Sequence, residues 1–92
     1  MLKRFVIERD IPGVGHMTAP QLKGAAETSN DALAKLGPKV QWVTSYVAEN
    51  KTFCIYLAED KNVIEEHAKL SGFPANKITE VETVIDPTTA RG

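Results

Sequence analysis

Few side chains in this sequence offer the means to hold a ligand or do chemistry. They are two histidines, His16 and His67, one cysteine, Cys54, and the carboxylates Glu8 and Glu82, set among the aromatic residues Trp42, Tyr46 and Tyr56. A metal ion needs several converging imidazole, carboxylate or thiolate donors. No HxH, HxxxH or CxxC spacing supplies them, so His67 and His16 stand as isolated candidate metal ligands. His67 shares a helical face with Val63 and Ile64, and its simpler reading is a histidine satisfied by a neighbouring partner. His16 falls in a glycine-flanked loop beside Met17, where an exposed residue is the simpler reading. Cys54 lies in mid-strand with no basic neighbour in its own strand to activate a thiolate, so it reads as a small apolar residue. Glu8 and Glu82 are expected on one sheet face, where two carboxylates could act as acid and base. The reading favoured for them is solvated charges, or ion pairs with Arg4 or Lys51. Gly13-Val14-Gly15 lacks the third glycine and the Lys-Ser/Thr of a phosphate loop.

The elements that must position these groups follow from periodicity. Leu2 to Arg9 alternates, with Phe5 and Ile7 on one side and Arg4, Val6 and Glu8 on the other, which predicts a strand. Asp10-Ile11-Pro12-Gly13 ends it, and Gly15 is read as loosening the loop. Thr18, with Pro20 and Gln21 after it, predicts a capped helix start. Leu22, Ala25, Ala26, Ser29, Leu33 and Leu36 then form one apolar stripe, and Gly37-Pro38 ends the helix. Strands are predicted over Val40 to Glu49 and Thr52 to Ala58, joined by a hairpin turn at Glu49-Asn50-Lys51. Asp60 caps a second helix with a stripe of Val63, Ile64, His67 and Ala68, which Gly72-Phe73-Pro74 stops. Lys77 to Asp86 predicts the last strand, and Thr88 to Gly92 a loose tail.

The order βαββαβ predicts an α+β, ferredoxin-like domain over residues 1–92: a four-stranded antiparallel sheet with two helices on one face. The core face is expected to carry Phe5, Ile7, Val43, Val47, Phe53, Ile55, Leu57, Val81 and Ile85. Alternation then assigns Val6, Glu8, Trp42, Thr44, Tyr46, Cys54, Tyr56, Glu80, Glu82 and Val84 to the bare face. Such a face spans roughly 300 to 350 Å² in projection, and a patch of that kind points to a homodimer, a ligand site, or both at one interface. The candidate ligand-binding residues are therefore Glu8, Trp42, Tyr46, Cys54, Tyr56 and Glu82.

Composition removes several alternatives. The 92 residues hold 11 basic and 12 acidic side chains, a formal net charge of −1, so there is no basic excess to engage nucleic acid. No run of residues is apolar enough for a membrane span, and the charged N-terminus is not a signal peptide. A cytoplasmic protein without an internal disulfide is expected.

Five short segments in order carry a family resemblance: Glu8-Arg9-Asp10-Ile11-Pro12-Gly13; Leu36-Gly37-Pro38 leading into Gln41-Trp42-Val43-Thr44-Ser45-Tyr46-Val47; Phe53-Cys54-Ile55-Tyr56; Glu66-His67-Ala68 followed by Gly72-Phe73-Pro74-Ala75-Asn76; and Ile85-Asp86-Pro87. Together they resemble short bacterial ferredoxin-like proteins of unassigned function, some described as nickel-binding. The resemblance implies a dimeric ferredoxin-like fold and raises Ni(II) as a candidate cofactor. Relatives often carry His where this chain has Thr44, which puts a metal site here in doubt. The function expected from these readings is a small homodimeric binding protein, holding a metal or small ligand at the open sheet face or dimer interface. Two alternatives stand beside it. One is an enzyme of the dimeric α+β barrel type, such as a cofactor-free monooxygenase or isomerase, on fold analogy. The other is a purely structural or regulatory interaction module.

Overall fold

The computed structural model describes residues 1–92. Four strands, β1 (Lys3–Asp10), β2 (Val40–Val47), β3 (Lys51–Ala58) and β4 (Lys77–Glu80), form one antiparallel sheet in the order β2-β3-β1-β4. Two helices, α1 (Ala19–Leu36) and α2 (Lys61–Ser71), pack on one side of it, giving the expected α+β, ferredoxin-like architecture. Short 3-10 turns occupy Val14–His16, Gly37–Lys39 and Pro87–Arg91.

Local chemistry sets the helix ends as anticipated. Thr18 and Gln21 form a reciprocal capping box, with Gln21 N donating to Thr18 Oγ1 at 3.3 Å and Thr18 N donating to Gln21 Oε1 at 2.9 Å. Asp60 caps α2 by accepting from Val63 N at 3.0 Å. Gly37 and Gly72 follow the helices with φ of 76° and 79°, a backbone region that a Cβ disfavours.

Phe5, Ile7, Val40, Cys54, Tyr56, Ala58, Val63 and Ile64 form the buried core, flanked by Leu33, Leu36, Trp42, Ala75 and Ile78. Burying a side chain such as Ile7 or Ile64 stabilises the fold by about 1.5–3 kcal/mol. Phe5 pairs with Tyr56, and Ile7 with Cys54. Direct partners across an antiparallel ladder share a face. The β1 register therefore fixes the phase of β3, and the phase differs from that read from the sequence. Cys54 and Tyr56 lie beneath the helices, while Phe53, Ile55 and Leu57 lie on the open face.

A bulge between Trp42 and Thr44 corrects the β2 reading as well. One extra residue reverses alternation beyond it. Trp42 pairs with Tyr56 and joins the helix side, whereas Thr44 pairs with Ile55 and Tyr46 with Phe53 on the open side. Val43 is the extra residue and is half-exposed. The open face thus carries the rows Glu8–Phe53–Tyr46, Val6–Ile55–Thr44 and Arg4–Leu57–Gln41.

The last strand is shorter than expected. It ends at Glu80, with one further bond from Val81 N to Arg4 O at 2.8 Å. Glu82, Val84 and Ile85 lie beyond the sheet, and Ile85 is 75% exposed instead of in the core. Residues expected as a loose tail form a 3-10 turn, capped by Asp86 accepting from Thr88 N at 2.8 Å. Gly15 has a tighter role than loosening its loop. Its N–H donates to Glu49 O at 2.9 Å, and a Cβ there would sit 2.7 Å from Ala48 O and from Glu49 Cα.

Candidate ligand cleft

The sequence fills the space under α1 poorly. The stripe on the first half of α1 consists of Leu22, Ala25, Ala26 and Ser29. Only Ser29 of these is buried, and Leu22 remains 38% exposed. Three small residues in a row leave no large side chain to reach the sheet. The result is a cleft of about 740 Å³, within the range that holds drug-sized molecules. Its floor is β2 and β3, through Trp42, Val43, Ser45, Thr52, Cys54 and Tyr56. Ile11, Val14 and Met17 of the first loop close one end, and Phe73 and Pro74 after α2 add another wall. Asn50 pins that loop: Ile11 N donates to its carbonyl at 3.0 Å and Gly13 N to its Oδ1 at 2.9 Å.

A polar group lies within this mostly apolar lining. Arg9 follows Phe5 and Ile7 on the inward side of β1 and is only 3% exposed. Its Nη1 donates to Pro74 O at 2.8 Å, while its Nη2 is buried without an acceptor. Its guanidinium lies over the rings of Tyr56 and Phe73, at 5.9 and 6.0 Å from their centroids. Arg9 takes part in no ion pair. Ser29 Oγ lies 3.2 Å from Tyr56 OH and 3.1 Å from His67 Nε2, which links α1, β3 and α2 through one hydroxyl. Burial raises the Tyr56 pKa, so the phenol stays neutral and does not balance Arg9. Burial, and secondly the Arg9 charge, lower His67 to about 4, so the imidazole is neutral near pH 7. His67 Nδ1 has no partner. Trp42 stacks on Tyr56 at 6.4 Å and donates from Nε1 to Ser45 Oγ at 2.9 Å.

The structure brings Trp42, Cys54 and Tyr56 together at this cleft, on the helix side and not on the open face. Tyr46 is on the opposite face and 64% exposed. Glu8 is there too, paired with Lys51 at 3.3 Å, and the paired carboxylate raises the Lys51 pKa. Glu82 lies outside the sheet, so Glu8 and Glu82 do not share a strand face. His16 is exposed, 3.7 Å from Glu49, whereas His67 is wholly buried. No group of three or more His, Cys, Asp and Glu side chains is placed to hold a metal ion. The residues of one chain therefore do not fit a complete Ni(II) site, and the Arg9 cation beside His67 opposes a second cation there. Arg9 and Ser29 were not among the expected site residues. The inward phase of Arg9 with Phe5 and Ile7 was the available signal.

Fold and cleft define a small α+β, ferredoxin-like protein with a charged pocket between its first helix and its sheet. The pattern of the family described as "Nickel responsive protein SCO4226-like" matches residues 5–81, and the chain belongs to that family. The crystal structure of SCO4226 from Streptomyces coelicolor A3(2) is similar, with a TM-score of 0.73 and 19% identity over 89% of this chain and 99% of that one. That likeness concerns the fold. No match is found among curated proteins. No helix is long and apolar enough to cross a membrane.

Proposed function

We propose that this chain is a small homodimeric binding protein that holds a small ligand in the cleft between α1 and the sheet. The observation that carries this reading is Arg9, a buried cation without a counter-charge, lining a large apolar cleft. A buried charge is costly unless it is paired. A ligand carrying a hydrogen-bond acceptor would supply the partner that Nη2 lacks. Catalysis has less support: His67, behind the polar wall, has a pKa of about 4, far below the range that suits a base near neutral pH.

The dimer contact is assigned to the open sheet face, where Val6, Tyr46, Phe53, Ile55 and Leu57 cluster. Apolar faces of this kind commonly mark association surfaces. Ile55→Lys places a charge at its centre and is expected to yield a folded monomer in sedimentation equilibrium. A dimer that persists in this variant removes the face from the contact.

Backbone amide NMR with octanoate and octanol as probes tests the ligand site. Shifts are expected along α1 at residues 22–29 and at Gly72 and Phe73, which line the cleft and lie off the open face. Shifts confined to residues of the open face, or none, overturn the cleft. Nickel is a second reading, favoured by the family's description and by the exposed His16–Glu49 pair. Two donors fall short of a complete site, so this reading requires ligands from a second copy. Calorimetry with Ni(II) decides it: uptake by the wild-type protein that is lost in His16→Ala supports the shared site, and no uptake removes it.

A further inference from the structure

We propose that the cleft takes a small amphipathic monocarboxylate, with its carboxylate on the Arg9 guanidinium and its apolar body along α1 and β2. This rests on the cleft being the ligand site and adds the class of ligand. Charge gives the first argument. Arg9 is the only charged residue among those lining the cleft, and the neighbouring Tyr56 and His67 are both neutral near pH 7. The site therefore holds one unbalanced positive charge, which a single carboxylate neutralises. A phosphate dianion would leave an excess negative charge in a largely apolar space.

Hydrogen bonding gives the second. The guanidinium fork matches a carboxylate geometrically. Nη1 already donates to Pro74 O, while Nη2 has no acceptor. Nη2 is also closed to water, so the arriving head group must displace a neighbour. Phe73 is the candidate, because it stacks on Arg9, is only half-buried and follows the end of α2. The remaining lining gives the third. Leu22, Ala25, Ala26, Val43 and Val47 offer apolar contact, and Ser29, Ser45 and Thr52 add hydroxyls but no further charge, which suits a largely apolar body and not a polyanion.

Isothermal titration of the full chain with octanoate, octanol and octylamine tests this, with Trp42 emission as a second readout. Octanoate is expected to bind at least about tenfold tighter than octanol, since a hydrogen bond to a charged group is worth that much. Octylamine is expected not to bind. Arg9→Gln should bring octanoate down to the octanol level while octanol is unaffected. Arg9→Lys keeps the charge, removes the fork, and should give an intermediate octanoate affinity. Equal binding of octanoate and octanol to the wild type overturns the carboxylate assignment and leaves the cleft standing. Absence of binding by all three probes overturns the cleft itself. The wild-type comparison needs no variant, so a poorly folded Arg9→Gln does not protect the proposal.

Discussion

His67 makes the stability of this fold depend on pH in a calculable way. The side chain has no solvent exposure, and its pKa falls from 6.5 to about 4. Below pH 6.5 the unfolded chain takes up a proton that the folded chain refuses until about pH 4. Stability is therefore fully present above pH 6.5 and is lost as pH falls through that window. At about 1.36 kcal/mol per pKa unit, the full loss is about 3 kcal/mol, with about 2 kcal/mol gone by pH 5. For a domain of this size, that corresponds to a fall in melting temperature of about 10 °C. Urea unfolding from pH 7.5 to pH 5 measures it. Asp86, whose pKa is lowered from 3.8 by the Thr88 hydroxyl and N–H, keeps its contribution above that unfolded value and so does not change over this range. The informative quantity is the difference between wild type and His67→Gln, which cannot take up the proton. That difference should shrink by about 2 kcal/mol across the range. Parallel curves for the two proteins would refute the assignment of a buried neutral imidazole.

Three further outcomes follow from the same geometry. Ser29→Ala removes the hydroxyl that serves both Tyr56 and His67, and should cost about 2–3 kcal/mol in urea unfolding; a change below about 0.5 kcal/mol, the size seen at inert surface sites, would contradict the shared bond. Arg9→Met removes the positive charge that helps hold His67 low, so the His67 ring resonances should titrate at higher pH, and an unchanged titration would show that Arg9 exerts no field there. Gly15→Ala forces a Cβ against the backbone of Ala48 and Glu49, and should cost about 1–3 kcal/mol; wild-type stability would mean that the loop does not close on the hairpin.

The helix caps at Thr18 and Asp60 were legible because each is a local device whose residues lie three apart. β1 was legible because only one of its phases is apolar. β3 was not, because both Phe53-Ile55-Leu57 and Cys54-Tyr56-Ala58 can face a core, and alternation gives the period without the phase. Only the pairing with β1 chooses, and it places the smaller and more polar set beneath the helices. The bulge after Trp42 has no signature in its own residues, and plain alternation groups Trp42 with Thr44 and Tyr46. Val81, Val84 and Ile85 look strand-like, which extends the expected β4 too far, because β1 begins at Lys3 and offers Val84 and Ile85 no strand to pair with. The cleft was hidden for a different reason. Ala25, Ala26 and Ser29 satisfy an apolar stripe as well as larger residues do, and a stripe records polarity and not the volume left unfilled. Arg9 was readable from its phase, but its significance depends on the missing counter-charge, which only the packed structure discloses.

The most direct measurement is a crystal structure of the protein grown with octanoate. The account predicts the carboxylate on Arg9 Nη2 and the chain of the probe lying between α1 and β2. A carboxylate bound elsewhere, or an Arg9 already paired with an acidic side chain of the protein, would contradict it.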